Sequence, residues 1–373
     1  MRWLPSACRG LILVVAAVRS VLAGHPPEQF GPELPIVATL GCGPTMDVAL
    51  EGNYLYAIGG ARLYVARLDD PAKPRLVGEL AGLGNVRQIA VREGIAYVTA
   101  REDGLFIVDV HRPEQPELLC HYDTIELATG ICLSGPVAFV ACRQNGVELI
   151  DVSDPRRPVH LSTLRPGEAQ SVTCRDGLLY VGTWVSREVV ICDVSDPRHP
   201  RVLSRAPMDG YADGQGWIST SSSRQAPAKA SAAAPRHADV SPVGGIAVGD
   251  GYIYAAGAWS DLHVIQATGL AQRPAGEPGQ PVVVPPATGY PVDPRCTVYD
   301  AGGQVYAVAP LGDGKAMVAA GSAGCQWVSL RPEPKRMAQI ATQGFAMDVK
   351  VLGDHVYVAE GMGGLSIARN GGR

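Results

Sequence analysis

Four Pro-x-x-Pro turns recur along the chain with a constant spacing of 42 residues. They begin at Pro71, Pro113, Pro155 and Pro197. A fixed period of this length is the signature of a repeat architecture, in which each copy is one supersecondary unit that packs on its neighbours. The repeat therefore limits the chain to an array or a ring of similar units.

Each copy contains three or four short apolar strands separated by turns. In the second copy, an inner strand at 86–91 precedes a glycine turn at Gly94, and aromatic and β-branched residues follow at 95–98. Asp103-Gly104 suits a type I′ hairpin, because both central residues of that turn need positive φ. Proline then ends the third strand, since it cannot donate to the ladder. Strand-rich repeats of about 42 residues predict propeller blades.

Three further copies are degenerate, over 244–266, 305–330 and 347–369, and with the copy that starts near Met46 the total is seven. Residues 35–40 resemble the outer strand that the last copy lacks. The sequence therefore predicts an all-β, seven-bladed β-propeller as a single domain over 24–373. We expect the N-terminal strand to complete the last blade and so remove an exposed sheet edge.

The third strand and the turn after it carry a resemblance to a known family. The segment LFIVD at 105–109, and Asp-Val-Ser-Asp-Pro-x-x-Pro at 151–158 and 193–200, resemble the LVIVD-repeat family of bacterial and archaeal β-propellers. The resemblance covers most of residues 35–370. It implies a propeller, commonly on exported or surface-associated proteins. The family has no defining catalytic motif, so the resemblance implies no catalytic residues.

The first 23 residues have the three parts of a secretory signal peptide. Arg2 and Arg9 supply positive charge, 10–18 is a short apolar run, and small residues precede Gly24. We therefore expect an exported protein, whether periplasmic, cell-surface or secreted. No later apolar run reaches the length of a membrane-spanning helix, so none is expected in the mature chain.

Charge and motif content narrow the function classes. The formal net charge is −4 and no long basic run occurs, which argues against a nucleic-acid partner. Neither a nucleophile motif nor a metal-binding Cys/His spacing is present. The first functional hypothesis is therefore a non-catalytic interaction or scaffold protein whose partner is another envelope or extracellular protein.

The cysteines allow two interpretations. Of nine cysteines, Cys8 belongs to the leader, and an even number in an exported chain permits disulfides. Cys132 and Cys174 are 42 residues apart, which predicts one shared repeat position where earlier copies carry Val48 and Ala90. That pattern favours small buried hydrophobic residues.

Two segments interrupt the repeat. Residues 209–240 are rich in Ser and Ala and predict a flexible insertion, and long loops on rigid scaffolds often carry function. Residues 209–217 faintly resemble a calcium loop, but Thr220 stands where that loop needs a bidentate Glu. Residues 267–301 are Pro-rich and predict an extended connector.

Two inner strands carry an aspartate in the same context, Met-Asp-Val, at Asp47 and Asp348. Counting by the repeat, the other copies have at this position Ile89, Ile131, Thr173 and Ile246. Since the first and last blades are neighbours, the two carboxylates are predicted side by side near the central channel. Such a pair could bind a divalent cation such as calcium, or share a proton. Alternatively, each aspartate caps a strand end through backbone N–H groups. A bound cation would support a second hypothesis, a metal-dependent hydrolase of the lactonase type.

Arginine and tryptophan are predicted at one mouth of the channel. Arg101 and Arg143 hold equivalent positions where the second strand enters its hairpin, and Trp184 and Trp259 lie near the same region of their blades. An aromatic and arginine rim suits recognition of a protein or an anionic ligand; ordinary loop packing is the alternative. The predicted ligand-binding residues are Asp47, Asp348, Arg101, Arg143, Trp184 and Trp259.

Overall fold

A computed structural model describes residues 31–208, 243–257, 261–267, 297–331 and 333–370. These residues form 28 strands in seven antiparallel sheets of four strands each. Every sheet is one blade, and the predicted seven-bladed β-propeller is confirmed. Within the described ranges, no helix is long and apolar enough to cross a membrane.

The strands fall into four classes by their place in the blade. The inner strands are β2 (Asp47–Glu51), β6 (Gln88–Arg92), β10 (Gly130–Ser134), β14 (Ala169–Arg175), β18 (Val243–Gly249), β22 (Ala307–Gly312) and β26 (Asp348–Leu352). The second strands are β3 (Tyr54–Gly59), β7 (Ile95–Thr99), β11 (Val137–Ala141), β15 (Leu178–Thr183), β19 (Tyr252–Gly257), β23 (Lys315–Ala319) and β27 (His355–Ala359). The third strands are β4 (Arg62–Arg67), β8 (Leu105–Asp109), β12 (Val147–Asp151), β16 (Glu188–Asp193), β20 (Asp261–Gln266), β24 (Cys325–Ser329) and β28 (Leu365–Arg369). The outer strands are β5 (Arg75–Ala81), β9 (Glu117–Tyr122), β13 (Val159–Leu164), β17 (Arg201–Pro207), β21 (Thr297–Asp300), β25 (Lys335–Ile340) and β1 (Ile36–Leu40).

The blades are arranged in a ring around their inner strands. Each inner strand contacts the inner strand of the next blade, and β26 of the seventh blade contacts β2 of the first. In the seventh blade the fourth strand is β1, which pairs antiparallel with β28 through Thr39–Ser366 and Leu40–Leu365. The sheet of the last blade thus combines β1 with the three last strands of the chain, β26, β27 and β28.

The hydrophobic core is divided into separate clusters between adjacent blades. Between the first and second blades, Tyr56 and Ile58 of β3 pack with Val86, Ile89 and Val98. Alternate residues of a strand point to opposite faces of its sheet, so each central strand contributes to two clusters. Third strands such as LFIVD have nearly continuous burial, because both faces of the sheet are covered by neighbouring blades.

The Asp-Pro turns are held by their own aspartate side chains. The backbone N–H of Ala72 donates to Asp70 Oδ1 at 3.0 Å, and that of Arg156 donates to Asp154 Oδ1 at 3.0 Å. The aspartate that ends a third strand acts in the same way: Ser153 N–H donates to Asp151 Oδ1 at 2.9 Å. This bond is the main reason why the pKa of Asp151 is lowered. These residues thus close the turns by Asx-type bonds.

The same kind of buried polar contact occurs at two blade interfaces. The hydroxyl of Tyr122, at the end of β9, donates to Glu148 Oε1 in the next blade at 2.6 Å. Tyr299 of β21 makes the corresponding bond to Gln326 Oε1 at 2.6 Å. Glu148 also accepts from the backbone N–H of Ile125 at 3.0 Å and is only 1% exposed. An acceptor is required there because the tyrosine hydroxyl is buried with it.

Replacing Glu148 with Gln is expected to reduce the free energy of unfolding by about 1 kcal/mol, because the amide oxygen can replace only one of the two carboxylate oxygens that accept from Tyr122 and Ile125. Glu148→Leu is the matched contrast. It removes the acceptor of Tyr122 and Ile125 and is expected to cost about 2 kcal/mol. Urea unfolding of the two variants measures the difference, and equal losses would contradict this role for Glu148.

Candidate functional site

One end of the ring, here called the hairpin face, carries the turns between second and third strands and the segments that lead from an outer strand to the next inner strand. The two kinds of segment are joined across blade boundaries. Arg101 N–H donates to Ala128 O at 3.0 Å, and Ala128 N–H donates back to Arg101 O at 2.9 Å. Three further isolated bridges of this kind are formed by Arg143 with Ala169, Gly321 with Ala346, and Gly361 with Thr45.

Arg101 and Arg143 have an unfavourable backbone conformation at these bridges. Their φ angles are 35° and 43°, and the equivalent residues of the last two blades are Gly321 and Gly361, with φ of 52° and 56°. Glycine adopts this left-handed conformation without steric cost, whereas a residue with a Cβ is disfavoured. The two arginines therefore hold a conformation that has a steric cost and that glycine would relieve.

The side chain of Arg143 is part of a cluster between the third and fourth blades. Its guanidinium forms an ion pair with Glu168 at 2.7 Å and a hydrogen bond to Gln170 Oε1 at 2.6 Å. It also lies 5.6 Å from the ring centroid of Trp184, within the range of a cation–π contact. The structure therefore brings two of the predicted rim residues together, Arg143 and Trp184.

Arg101 has a basic neighbour, Arg87, which the sequence interpretation missed. Burial is the main cause of a lowered pKa of Arg87, and the charge of Arg101 lowers it further, while Glu102 opposes the shift. In the described part of the chain, Arg87 Nε is buried and has no hydrogen-bond acceptor. No repeat pattern singles out Arg87, because it precedes the strand and its partner is set by the blade geometry.

Large apolar side chains are exposed on the same face. Exposed fractions are 88% for Met362, 68% for Val185 and 58% for Phe345, and Ile125 is 42% exposed. Most of the other exposed large apolar residues in the described ranges belong to outer strands, and Leu352 lies at the opposite end of the ring. Exposed apolar groups, arginine and tryptophan on one face are residue types enriched at protein-binding surfaces.

Asp47 and Asp348 lie next to each other where the seventh blade meets the first. Asp348 Oδ2 accepts from the backbone N–H of Val48 at 3.2 Å, and Asp47 Oδ2 accepts from that of Ile89 at 2.7 Å. Each carboxyl thus binds the inner strand of the next blade. Both side chains are buried, with exposed fractions of 6% for Asp47 and 5% for Asp348.

A lysine completes this group, and sequence reasoning missed it. Lys350 Nζ contacts Asp348 Oδ2 at 2.6 Å. Burial alone would lower the pKa of Lys350, but the carboxyls of Asp348 and Asp47 outweigh it and raise the pKa. Burial and the charge of Asp348 raise the pKa of Asp47 well above its usual range. Two adjacent buried carboxyls, with one ammonium beside them, form an arrangement in which a proton can be shared.

The strand register corrects the predicted alignment of these residues, by two positions in the fourth blade and by one position in the second, third and fifth blades. The inner-strand residue opposite the central aromatic is Ala49 in the first blade and Ala90 in the second, and in the seventh it is Lys350. The counterparts of the two aspartates are therefore Gln88, Gly130 and Ser171 in the second to fourth blades, not Ile89, Ile131 and Thr173. Ile246 pairs with Ala255 and is likewise a counterpart of Val48, not of Asp47.

A shorter hairpin in the first blade explains the shift of one position, and a hairpin one residue longer in the fourth blade than in the third adds the second position at Thr173. Tyr56 is nine residues before its partner Val65, whereas Tyr97 is ten residues before Ile107. A count of 42 from Asp47 therefore overshoots by one residue. A shift of one residue reverses the face to which every side chain of a strand points.

Several predictions fall outside the described residues. They concern the signal peptide at 1–23, the insertion at 209–240, Trp259 and most of the Pro-rich segment 267–301. Among the residues that the structure does describe, no group of three or more His, Cys, Asp or Glu side chains could hold a metal ion. The predicted calcium site at Asp47 and Asp348 stays a prediction.

The ring of four-stranded blades defines this chain as a β-propeller. Solved structures that it resembles include the WD40 β-propeller domain of Doa1, at TM-score 0.59 and 11% identity, covering 91% of this chain and 97% of that one. A chain of a mitotic checkpoint complex has TM-score 0.59 and 14% identity, with 93% and 95% covered. The computationally designed Ika8 protein has TM-score 0.57 and 10% identity, with 91% and 100% covered. At these identities the likeness shows the fold alone.

The repeat identifies the family. The LVIVD repeat model matches residues 42–81, 83–124, 127–163, 166–205 and 343–368. The chain therefore belongs to the LVIVD-repeat β-propellers, as the third-strand motif predicted. A comparison with curated proteins found no match.

Proposed function

We propose that this protein is an exported, non-catalytic interaction protein that binds another envelope or extracellular protein through its hairpin face. The observation that carries the proposal is the exposure of Met362, Val185 and Phe345 on the face that also presents Arg101 and Arg143. Interfaces are enriched in aromatic residues, Met and Arg around an apolar centre. The predicted signal peptide supports the location.

Backbone strain adds a second argument. Holding a non-glycine residue at positive φ costs about 1 kcal/mol, and the sixth and seventh blades avoid this cost with glycine. Arg143 recovers part of the cost through Glu168 and Gln170. Among the ion pairs of the described residues, Arg101 forms none. Its guanidinium would be the group that meets an acidic side chain of a partner.

The channel geometry favours this function over a metal-dependent hydrolase. Catalysis of that type needs carboxylates that are ionised and open to the metal. Here burial and the charge of Asp348 raise the pKa of Asp47, which disfavours its ionised form, and Asp348 is bound by Lys350 and by the N–H of Val48. The same contacts link the inner strands of adjacent blades, which is a structural use of both aspartates.

Arg101→Gly is expected to leave stability unchanged or to raise it by about 1 kcal/mol, because glycine relieves the left-handed conformation. The same change is expected to weaken affinity for the native partner about thirtyfold, because an interface hot spot contributes about 2 kcal/mol. The measurement is a pull-down with the tagged mature chain from the native envelope and extracellular fractions, alongside thermal unfolding.

Met362→Ser tests the apolar part of the hairpin face, and Leu352→Ser is its matched control. Leu352 is an exposed apolar residue, 39% exposed, at the opposite end of the ring. We expect the partner to be lost with Met362→Ser and retained with Leu352→Ser. A partner equally sensitive to both changes, or one indifferent to Met362 and Arg101, would place the binding surface elsewhere.

A further inference from the structure

The direction of inner-strand side chains follows a simple alternation at every blade interface. Asp47 reaches the N–H of Ile89 in the next blade, and Gln88 reaches that of Ile131 at 2.7 Å. These two residues hold the same register position. Because side chains alternate along a strand, the residue two positions later also faces the next blade, and the residue three positions later faces the previous blade.

At the first two interfaces, these facing positions hold a small residue and a larger aliphatic one. Ala49 and Val91 share one core cluster between the first and second blades. Ala90 and Leu133 share the cluster between the second and third blades. At both interfaces, therefore, an alanine of one inner strand packs with a larger aliphatic residue of the next inner strand.

Between the third and fourth blades, both facing positions are cysteines. Cys132 of β10 and Cys174 of β14 pack on one cluster, and both are partly accessible. The two thiols are close enough to interact directly: burial and the contact with Cys174 raise the pKa of Cys132. The sequence placed both at one repeat position, but the register sets them one step apart, opposite Phe139 and Leu179. Because of this offset of one position, Cys132 faces the next blade and Cys174 faces the previous one, so the two side chains point toward each other.

We propose that Cys132 and Cys174 are an oxidation site that forms a disulfide between the third and fourth blades. The reaction is exchange with a disulfide oxidant such as oxidised glutathione. One thiolate attacks the oxidant and forms a mixed disulfide, releasing one thiol of the oxidant. The second cysteine then displaces the other half. Two thiols lose two protons and two electrons in total, and the oxidant is reduced to two thiols.

The position of the bridge gives it a structural consequence. Its two strands are those whose blades also hold the cluster of Arg143, Glu168 and Trp184 on the hairpin face. Oxidation therefore ties together the two blades on which that cluster is built. The proposal does not depend on the proposed partner binding, since it rests on the two thiols and their interface alone.

The test uses the full chain purified with its thiols reduced. The protein is incubated at pH 8 in buffers of increasing ratio of oxidised to reduced glutathione, then alkylated and mapped by mass spectrometry. We expect Cys132 and Cys174 to become protected together and to appear in one linked peptide. At pH 7 the reaction is expected to be about tenfold slower, because the reactive species is the thiolate.

The repeat supplies conservative control variants. Cys132→Ala and Cys174→Val introduce the residues that the first interface carries at the facing positions, Ala49 and Val91. Each single variant is expected to leave the remaining cysteine unlinked, and the double variant to keep the native fold. The same incubation with protein unfolded in urea is the control that the oxidant can oxidise accessible thiols. A folded chain in which both thiols stay alkylatable, or in which Cys120 or Cys192 is linked instead, would overturn the assignment.

Discussion

Replacing Lys350 with methionine is expected to lower the free energy of unfolding by about 2–3 kcal/mol at neutral pH. The ammonium contacts Asp348 at 2.6 Å, and that carboxyl has only 7% of its side chain exposed. Without Lys350, the negative charge of Asp348 remains in a buried site without a cation. Breaking a buried ion pair in this way costs about 3–5 kcal/mol. We expect a value below that range because the lysine side chain is 39% exposed. Urea or thermal unfolding measures the change.

The double variant Asp348→Asn/Lys350→Met is the control for this interpretation. Asparagine can still accept the N–H of Val48 and no longer needs a cation, so about half of the lost stability or more is expected to return. Asp348→Asn alone is expected to cost less than Lys350→Met, since the partly exposed ammonium can be hydrated. A Lys350→Met protein as stable as the parent would show that the ion pair does not support the junction of the seventh and first blades.

The fold could be predicted because its signals are local and repeated. A Pro-x-x-Pro turn must end a strand wherever it occurs, and Asp-Gly or Asn-Gly must turn a hairpin, so each copy marks its own strand limits. The observed third strand β8, at Leu105–Asp109, has the bounds that the LFIVD motif indicates. In the degenerate copies the signals that mark strand ends are weak, but the repeat period of the clear copies indicates where their strands lie.

The register could not be predicted with equal accuracy, because it depends on hairpin length. The repeat is constant at the proline turns, but the first hairpin is one residue shorter than the second. That difference changes which side chain faces which blade. It misplaced the counterparts of Asp47. The facing arrangement of Cys132 and Cys174 was hidden by a second difference: Ile191 is eleven residues after Tyr180 in the fourth blade, whereas Leu149 is ten residues after Phe139 in the third.

The candidate site was partly predictable for the same reason. Arg101 and Arg143 are visible in the sequence because they occupy one position in two clear repeats. Arg87 and Lys350 are not, since their importance comes from neighbours in space: Arg101 for one and Asp348 for the other. Single charged residues carry no motif, and only the ring brings them to their partners.

Asp47→Asn is expected to leave stability unchanged near pH 4 and to make the protein progressively more stable than the parent as the pH rises. The folded-state pKa of Asp47 is raised, mainly by burial and by the charge of Asp348, whereas an unfolded aspartate has a pKa of about 3.9. Above pH 4 the unfolded chain releases this proton while the folded chain keeps it. The parent therefore loses about 1.4 kcal/mol per pH unit from this group until the folded-state pKa is reached.

Asparagine reproduces the protonated acid at this site. Its amide oxygen can accept the N–H of Ile89, as Asp47 Oδ2 does at 2.7 Å, and its amide N–H can donate to Asp348 in place of the acid proton. Urea unfolding of parent and variant between pH 4 and pH 8 gives the difference, in which other titrating groups cancel. Asp47→Ala lacks the acceptor and is expected to be less stable than the parent near pH 4. Like Asp47→Asn, it is expected to lack the loss of stability that Asp47 causes in the parent as the pH rises. A difference between parent and Asp47→Asn that does not change with pH would mean that Asp47 is ionised in the folded protein, and that the two carboxyls share no proton.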